Sequence, residues 1–347
     1  MIVILNDTHI GASRQAGTTP QSQEDLREYI FDTFEHLVLE KYRGNHIIIN
    51  GDLFDGFTVD ERDFIRLFQI LVESVENGTR FTFIMGNHDA NARGDKVSSF
   101  HMLTDILYSG WSQVRVDHRD GFIGIAPDVY AISHCMNQEL FNLELEKAAA
   151  VNGTGQFLLL HCNIKNHFAE EADHSLNLND DQLSALMKAG WTIICGHEHQ
   201  MRVMRNGRVI VPGNQIPTSV ADWLGCDGKY LVTIEDGKAE LVTLQPNALA
   251  QVEWTALADT PANAPFVRVI GSATSEQASQ VIDAIAALRR THDAFVITNA
   301  VKIEGMVEMD ALAEMSMEDI TNFNVLDALM EELDDKEQVV VKDLLAD

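Results

Sequence analysis

What most limits the fold of this 347-residue chain is a repeated pairing: a short apolar run, then a longer segment of helical periodicity. The runs are Ile2–Leu5, His46–Ile49, Phe81–Met85, Phe157–Leu160, Thr192–Cys195 and Val209–Val211. Between the first two, Leu26, Ile30, Phe34 and Leu37 recur at helical spacing, which predicts a helix from about Glu24 to Tyr42 with Gly44 as its stop. A second helix is expected over Glu61–Glu76, closed by Asn77-Gly78, and a third near Asp180–Ala189, where Asn179 and Gln182 stand in capping-box register. Alternation of strand and helix implies an α/β fold with a mainly parallel sheet covered by helices. Tyr230–Ile234 and Ala239–Leu244 flank Glu235-Asp236-Gly237-Lys238, the pattern of a hairpin.

After Pro246 the pattern changes. Phe266–Ile270, a helix over Ser275–Arg290 opened by Thr274 and Gln277, and Phe295–Ile303 make a small β-α-β unit, with Pro261 and Pro265 in the linker before it. From Ser316 onward Ile320, Phe323, Leu326, Leu329, Met330 and Leu333 mark one helix face, and Val340, Val341, Leu344 and Leu345 a second. The expected divisions are therefore residues 1–245, 246–305 and an acidic helical tail over 306–347.

The chain is 46% hydrophobic with 7 prolines, enough for a sizeable core. No run approaches the roughly 20 apolar residues that span a bilayer. The opening MIVILNDTH has no basic stretch and turns polar after Leu5, unlike a signal peptide. Cys135, Cys162, Cys195 and Cys226 are widely spaced, as core thiols of a reducing cytosol would be. These features predict a cytoplasmic protein without membrane association. A net charge of −28 opposes binding to nucleic acid at long range. It is unevenly spread: residues 306–347 hold 13 acidic residues against Lys336 and Lys342.

Five of the apolar runs end on polar residues of one kind. ILNDTH supplies Asp7 and His9, IIINGDLFD Asp52 and Asp55, and IMGNHDA Asn87, His88 and Asp89; FLLLHC supplies His161, and TIICGHEH His197 and His199. Ligands of open α/β sheets bind at the carboxyl ends of strands, so five strands would deliver these groups to one edge. The i, i+2 spacing of Asp7 with His9, and of His197 with His199, places both side chains on one side of an extended segment. Gly51, Gly86 and Gly196 permit sharp turns into the site. Carboxylate and imidazole donors suit a pair of divalent metals such as Mn, Fe or Zn, and such a pair can promote hydrolysis of a phosphate ester. His36, His46, His101, His118, His134 and His292 are read as loop or capping residues, as are His167 and His174.

The ordered set NDTH, NGDLFD, MGNHD, LLLH and CGHEH resembles the calcineurin-like metallophosphoesterase superfamily. The resemblance implies a sandwich of mixed β-sheets flanked by helices and two divalent ions, with manganese the expected metal. One ion would take Asp7, His9, Asp52 and His199, the other Asp52, Asn87, His161 and His197. Asp52 would bridge them. His88 would act on the substrate, its imidazole held by Asp55. Within the superfamily, DTHIG, GDLFD and GNHDA are similar to the SbcD-type nuclease subunits of DNA double-strand-break repair. Gly56-Phe57 and Asp89 stand where protein phosphatases carry Arg-Gly and Glu. That likeness implies a DNA exo- and endonuclease using a metal-bridging hydroxide. Its partners would be DNA, an SbcC-type ABC ATPase docked by the helical tail, and a second copy of the chain. The apolar segment Glu61–Glu76 could serve as the dimer contact or as ordinary core.

Arg14 follows the first motif, Arg93 and Lys96 follow GNHDA, and Arg202, Arg205 and Arg208 follow GHEH with no acid among them, so these residues are expected to contact the DNA backbone. Two competing readings stand beside the nuclease: a stand-alone phosphodiesterase or phosphatase for a small nucleotide or phosphoprotein, and a recruiting subunit whose metal cluster is structural.

Overall fold

A computed structural model describes residues 1–13, 20–90, 96–117, 121–165 and 175–304, so the expected tail over 306–347 lies outside the described residues. The elements follow in order as β1 (Ile2–Leu5), α1 (Pro20–Glu35), β2 (His46–Asn50), α2 (Glu61–Glu76), β3 (Arg80–Ile84), α3 (Ser99–Gly110), β4 (Val114–Asp117), β5 (Phe122–Ala126), β6 (Val129–Ile132) and α4 (Gln138–Ala149). Then come β7 (Phe157–His161), β8 (Asn163–Ile164), β9 (Asn177–Leu178), α5 (Asp180–Ala189), β10 (Thr192–Gly196), β11 (Arg202–Met204), β12 (Val209–Val211), β13 (Gly228–Glu235) and β14 (Lys238–Pro246).

The strands form two six-stranded sheets, the mixed sandwich that the family resemblance implies, where alternation alone suggested a single sheet. The first runs β14-β13-β1-β2-β3-β4 and the second β11-β12-β10-β7-β6-β5. Each has four parallel strands, with antiparallel partners at its edges. Side-chain alternation explains the layering. Val3, Leu5, Ile47, Ile49, Phe81 and Phe83 pack into a cluster with α1, α2 and α3. Leu158, Leu160, Ile193 and Cys195 pack into another with α4 and α5. The intervening Ile4, Ile48, Ile84, Phe157, Leu159 and Ile194 meet one another between the sheets. The result is a mixed sandwich of two sheets with helices on both outer faces.

Local signals act where the sequence predicts. Asp60 caps α2 by accepting from the Arg62 amide at 2.9 Å. Asn179 and Gln182 form their capping box at α5, and Asp236 and Gly237, at φ 49° and 71°, make the tight turn of the β13–β14 hairpin. The first helix starts earlier than expected, with Pro20 in its first turn, and continues into a wider π-helical turn over His36–Lys41.

Beyond β14 lie β15 (Leu249–Glu253), β16 (Phe266–Ile270), β17 (Ser272–Ala273), α6 (Ala278–Thr291), β18 (Val296–Asn299) and β19 (Lys302–Ile303). β15, β16 and β18 pair in parallel, so the expected β-α-β unit gains a strand at its start. It has its own core around Val267, Val269, Val281 and Ile285. Phe266 and Val296 instead belong to the large cluster beneath the first sheet, with Phe266 5.9 Å from Tyr29 and 5.7 Å from Trp223 between ring centroids. Among the described residues no helix is long and apolar enough to cross a membrane.

Candidate metal centre

β1, β2 and β3 are parallel neighbours in the first sheet, and β7 and β10 in the second, so the five polar motifs meet at the carboxyl-end edge of both sheets. Their side chains do not converge along extended segments, as the i, i+2 spacing suggested. Asp7, His9, Asp52 and His197 are left-handed, at φ 50°, 44°, 49° and 84°. Residues other than glycine adopt that region at a cost of about 1–3 kcal/mol, and such strain gathers at functional sites. The turns are held by one another: the His9 amide donates to the Asp52 carbonyl at 3.0 Å, Ile10 to Leu53 at 2.9 Å and Gly51 to Ile84 at 3.0 Å.

Two glycines in these turns have different reasons. Gly51 combines φ 84° with a Cβ position only 2.0 Å from His161 Nδ1. Gly86 is not left-handed, so its use is space and not a special turn: a Cβ there would meet Asp52 Oδ1 at 2.2 Å.

Asp7 and Asp52 are 0% and 1% exposed, and among the described residues neither is paired with a lysine or arginine. His9 Nε2 and His199 Nε2 face each other at 3.0 Å, and donor atoms of Asp7, His9 and His199 all lie within 4.8 Å of one another. Asp52, His161 and His197 form a second such group, and His9, Asp52 and His88 a third that shares a member with each. Asn87 Oδ1 lies 3.1 Å from His161 Nε2 and 3.0 Å from His197 Nδ1. Asp52 Oδ2 stands between the groups, 3.2 Å from His161 Nε2 and 4.0 Å from His9 Nε2. Buried carboxylates need compensating charge, and hard oxygen with imidazole nitrogen is the donor set of first-row divalent ions. The residues fit two such ions.

Second-nitrogen contacts orient the rings. His161 Nδ1 donates to the Asn50 carbonyl at 3.0 Å, which leaves Nε2 to face Asp52 and Asn87. His199 Nδ1 donates to Asp222 Oδ1 at 2.8 Å. Burial pushes the Asp52 carboxyl up, but His161 outweighs it and holds it well below the usual range. Burial pushes His161 down, and Asp52 outweighs that, raising it to about 10. A proton held so firmly is one that a cation must displace.

His88 differs from expectation in its support. Its Nδ1 donates to the backbone carbonyl of Asp55 at 2.8 Å, and the Asp55 carboxylate instead approaches His9 Nδ1 at 3.4 Å. The carbonyl fixes the same tautomer that a carboxylate would, leaving Nε2 as the exchangeable position. The His88 amide donates to Asp52 Oδ1 at 2.9 Å, tying its loop to the centre.

Two carboxylates had no role in the sequence reading. Asp89 is fully buried and accepts from the amides of Gly86, Leu53 and Phe54 at 3.0–3.3 Å, clamping the second and third loops together. Burial, aided by Asp52, pushes its carboxyl up to about 6. Its signal was its place in GNHD. Asp222 sits in a short helical turn, 23 positions after His199, and no motif marks it.

Among the described residues, two arginines of the basic rim are paired with acids. Arg202 is bound to Glu198 of the GHEH motif itself, and Arg205 pairs with Asp180 at 3.4 Å. Arg208 donates to the carbonyls of Met187 at 3.1 Å and Trp191 at 2.7 Å, near the end of α5. Lys96 is exposed, and Arg14 and Arg93 lie outside the described residues. Of the histidines read as bystanders, His36 pairs with Glu40, His46 bonds Thr82, His101 bonds the α3 cap Ser98 and His292 bonds the Pro261 carbonyl. His134 is buried, and His118, His167 and His174 are outside the described residues. The four cysteines are free thiols, three of them buried.

No curated protein matches the chain. Among solved structures it is similar to a cold-active protein-tyrosine phosphatase of a psychrophilic Shewanella species, at 15% identity over 70% of this chain and 80% of that one, with a TM-score of 0.33. A protein of unknown function from Aquifex aeolicus is similar at 11% identity over 53% of this chain and 92% of that one, with a TM-score of 0.27. Likeness at these scores says nothing of substrate. A family model described as calcineurin-like phosphoesterase matches residues 1–201, the stretch that carries every residue of these donor groups, and the chain belongs to that family of metal-dependent phosphoester hydrolases.

Proposed function

We propose that the protein is a two-metal, manganese-dependent DNA nuclease, the nuclease subunit of an SbcCD-like repair and recombination complex with an ABC-type ATPase. The observation that carries the nuclease reading is the wording of three motifs, DTHIG, GDLFD and GNHDA, with Gly56-Phe57 and Asp89 in place of the protein-phosphatase Arg-Gly and Glu. Two divalent ions, when bound, would supply Lewis-acid activation of water and charge neutralisation at the phosphoryl group. Asp7, His9, Asp52 and His199 would hold one and Asp52, Asn87, His161 and His197 the other. His88, its Nδ1 proton engaged by the Asp55 carbonyl, would deliver a proton from Nε2 to the departing sugar oxygen. The ATPase would supply the DNA surface that a chain of net charge −28 lacks, and the acidic tail would meet a basic patch on it. A homodimer would use the flank of α2 and α3, where Ile65, Met102 and Ile106 are 54%, 46% and 44% exposed.

A second reading, a phosphodiesterase or phosphatase for a small nucleotide or phosphoprotein, is favoured by the pairing of Arg202 with Glu198 and Arg205 with Asp180. The two are separated by a Mn²⁺ titration of hydrolysis on linear duplex DNA and on bis-para-nitrophenyl phosphate, with wild type and His88→Ala. Cleavage of both, lost in the variant, supports the nuclease. Turnover of the small ester without DNA cleavage, persisting when the ATPase is added, supports the second reading.

A further inference from the structure

Behind His199 lies a polar assembly that neither the five motifs nor the family match accounts for. Asp222, 3% exposed, uses both carboxylate oxygens: Oδ1 accepts from His199 Nδ1 at 2.8 Å, and Oδ2 from the amides of Thr218 at 2.8 Å and Ser219 at 3.0 Å. The Thr218 hydroxyl adds a fourth bond at 3.4 Å. A carboxylate so fixed has one orientation and presents one oxygen to the imidazole. Beneath it lies Lys229, 2% exposed, whose ammonium donates to the Asp222 carbonyl at 2.5 Å, the His199 carbonyl at 3.3 Å and Asn214 Oδ1 at 2.6 Å. One buried cation therefore fastens the backbones of both members of the pair, while the carboxylate fastens the ring. Gly213 closes the assembly, since a Cβ there would sit 2.5 Å from the His199 carbonyl oxygen.

The side chain of His199 is 32% exposed, so packing alone does not fix it. Its Nε2 must nonetheless stay opposite His9 Nε2, 3.0 Å away, for both to hold one cation. We infer that Asp222 is a positioning residue, itself anchored by Lys229, that locks His199 as the Nδ1–H tautomer with Nε2 free for the cation shared with Asp7 and His9. The inference rests on the metal-centre reading and deepens it: the His9–His199 site depends on a carboxylate from a distant turn. Removing such an outer partner typically costs about 10–100-fold in metal affinity.

The test is Mn²⁺ binding to the full chain, read as free Mn²⁺ by electron paramagnetic resonance, for wild type, Asp222→Asn and Lys229→Met. The expected result is two ions bound by wild type and one of the two sites weakened by about 10–100-fold in Asp222→Asn. Excess Mn²⁺ should then restore most of the variant's turnover, which damage to the fold would not allow. Lys229→Met should weaken the same site by less. Two unchanged sites in Asp222→Asn, or turnover that saturating Mn²⁺ does not restore, would overturn the inference while leaving the metal centre intact. A wild type that binds no Mn²⁺ would overturn both. Should the variant not fold, histidine ¹⁵N shifts of Zn²⁺-loaded wild type decide, with His199 assigned by its loss in His199→Gln. Protonated Nδ1 with metal-shifted Nε2 supports the role, and the opposite tautomer ends it.

Discussion

On the His9–His199 side of the centre, His199 donates from its outer nitrogen to Asp222 at 2.8 Å, whereas His9 Nδ1 makes no hydrogen bond and has the Asp55 carboxylate only in ionic range at 3.4 Å. On the other side His161 turns to the Asn50 backbone carbonyl, and His197 directs Nδ1 inward to Asn87. A carboxylate partner fixes the tautomer of the imidazole it holds and raises its basicity, so the first side takes the orientation of His199 from Asp222. It also depends on more distant parts of the chain. Asn50 ends β2, which lies in the sheet framework, whereas Asp222 comes from a turn outside either sheet. One side is thus set by strand register and the other by loop packing.

The comparison can be broken most completely at Asp52, which belongs to both sides. Asp52→Asn should reduce hydrolysis to background and lower Mn²⁺ binding at both sites, measured by turnover and by metal content after gel filtration. Next in size is His88→Ala, whose ring is assigned to the substrate although it groups with His9 and Asp52. Turnover should fall by about 10²–10⁴-fold with two ions still bound, and retained turnover in the metal-loaded variant would remove His88 from the chemistry. Gly86→Ala presses a methyl group onto the Asp52 carboxylate and amide. It should cost about 1–3 kcal/mol of stability by denaturant unfolding and displace the bridging group.

The smallest effect lies at the far end of β2. Burial, with Arg80 and Arg115, pushes His46 down to about 4, so it is neutral in the fold. Its pKa in the unfolded chain is near 6.5. Above that value it leaves stability unchanged with pH. Between about 6.5 and 4 the unfolded chain takes the proton first, and stability falls as pH falls. His46→Gln should remove this contribution from a stability-against-pH curve. Asp222, held below the usual carboxylate range, acts in a different window: its contribution is present above pH 4 and fades only in stronger acid. Asp89, raised to about 6, has the opposite slope in the same window, so the difference between the two curves is the test: a His46→Gln curve parallel to wild type from pH 7 to 4 would contradict the His46 assignment.

Much was legible because it is local. The bounds of α2 follow from a cap, an apolar stripe and Asn77-Gly78, all within the helix or next to it. The hairpin at Asp236-Gly237 rests on backbone freedom at two positions. α3, α4 and the strands from β4 to β6 are not among the elements expected from the sequence. The basic run after GHEH looked free because its acids lie outside it, Glu198 four residues before Arg202 and Asp180 on another helix.

By itself the sequence determined the five strands that carry the site, most of their ends and the donor residues placed there, since an apolar run followed by a turn is encoded in consecutive residues. Only the tertiary structure decided which strands join which sheet and that Asp222 and Lys229 stand behind His199. The physical reason is the same in each case. A strand buried on both faces carries no mark of which face meets another sheet and which meets a helix, and a hydrogen bond across 23 residues leaves no periodicity to read.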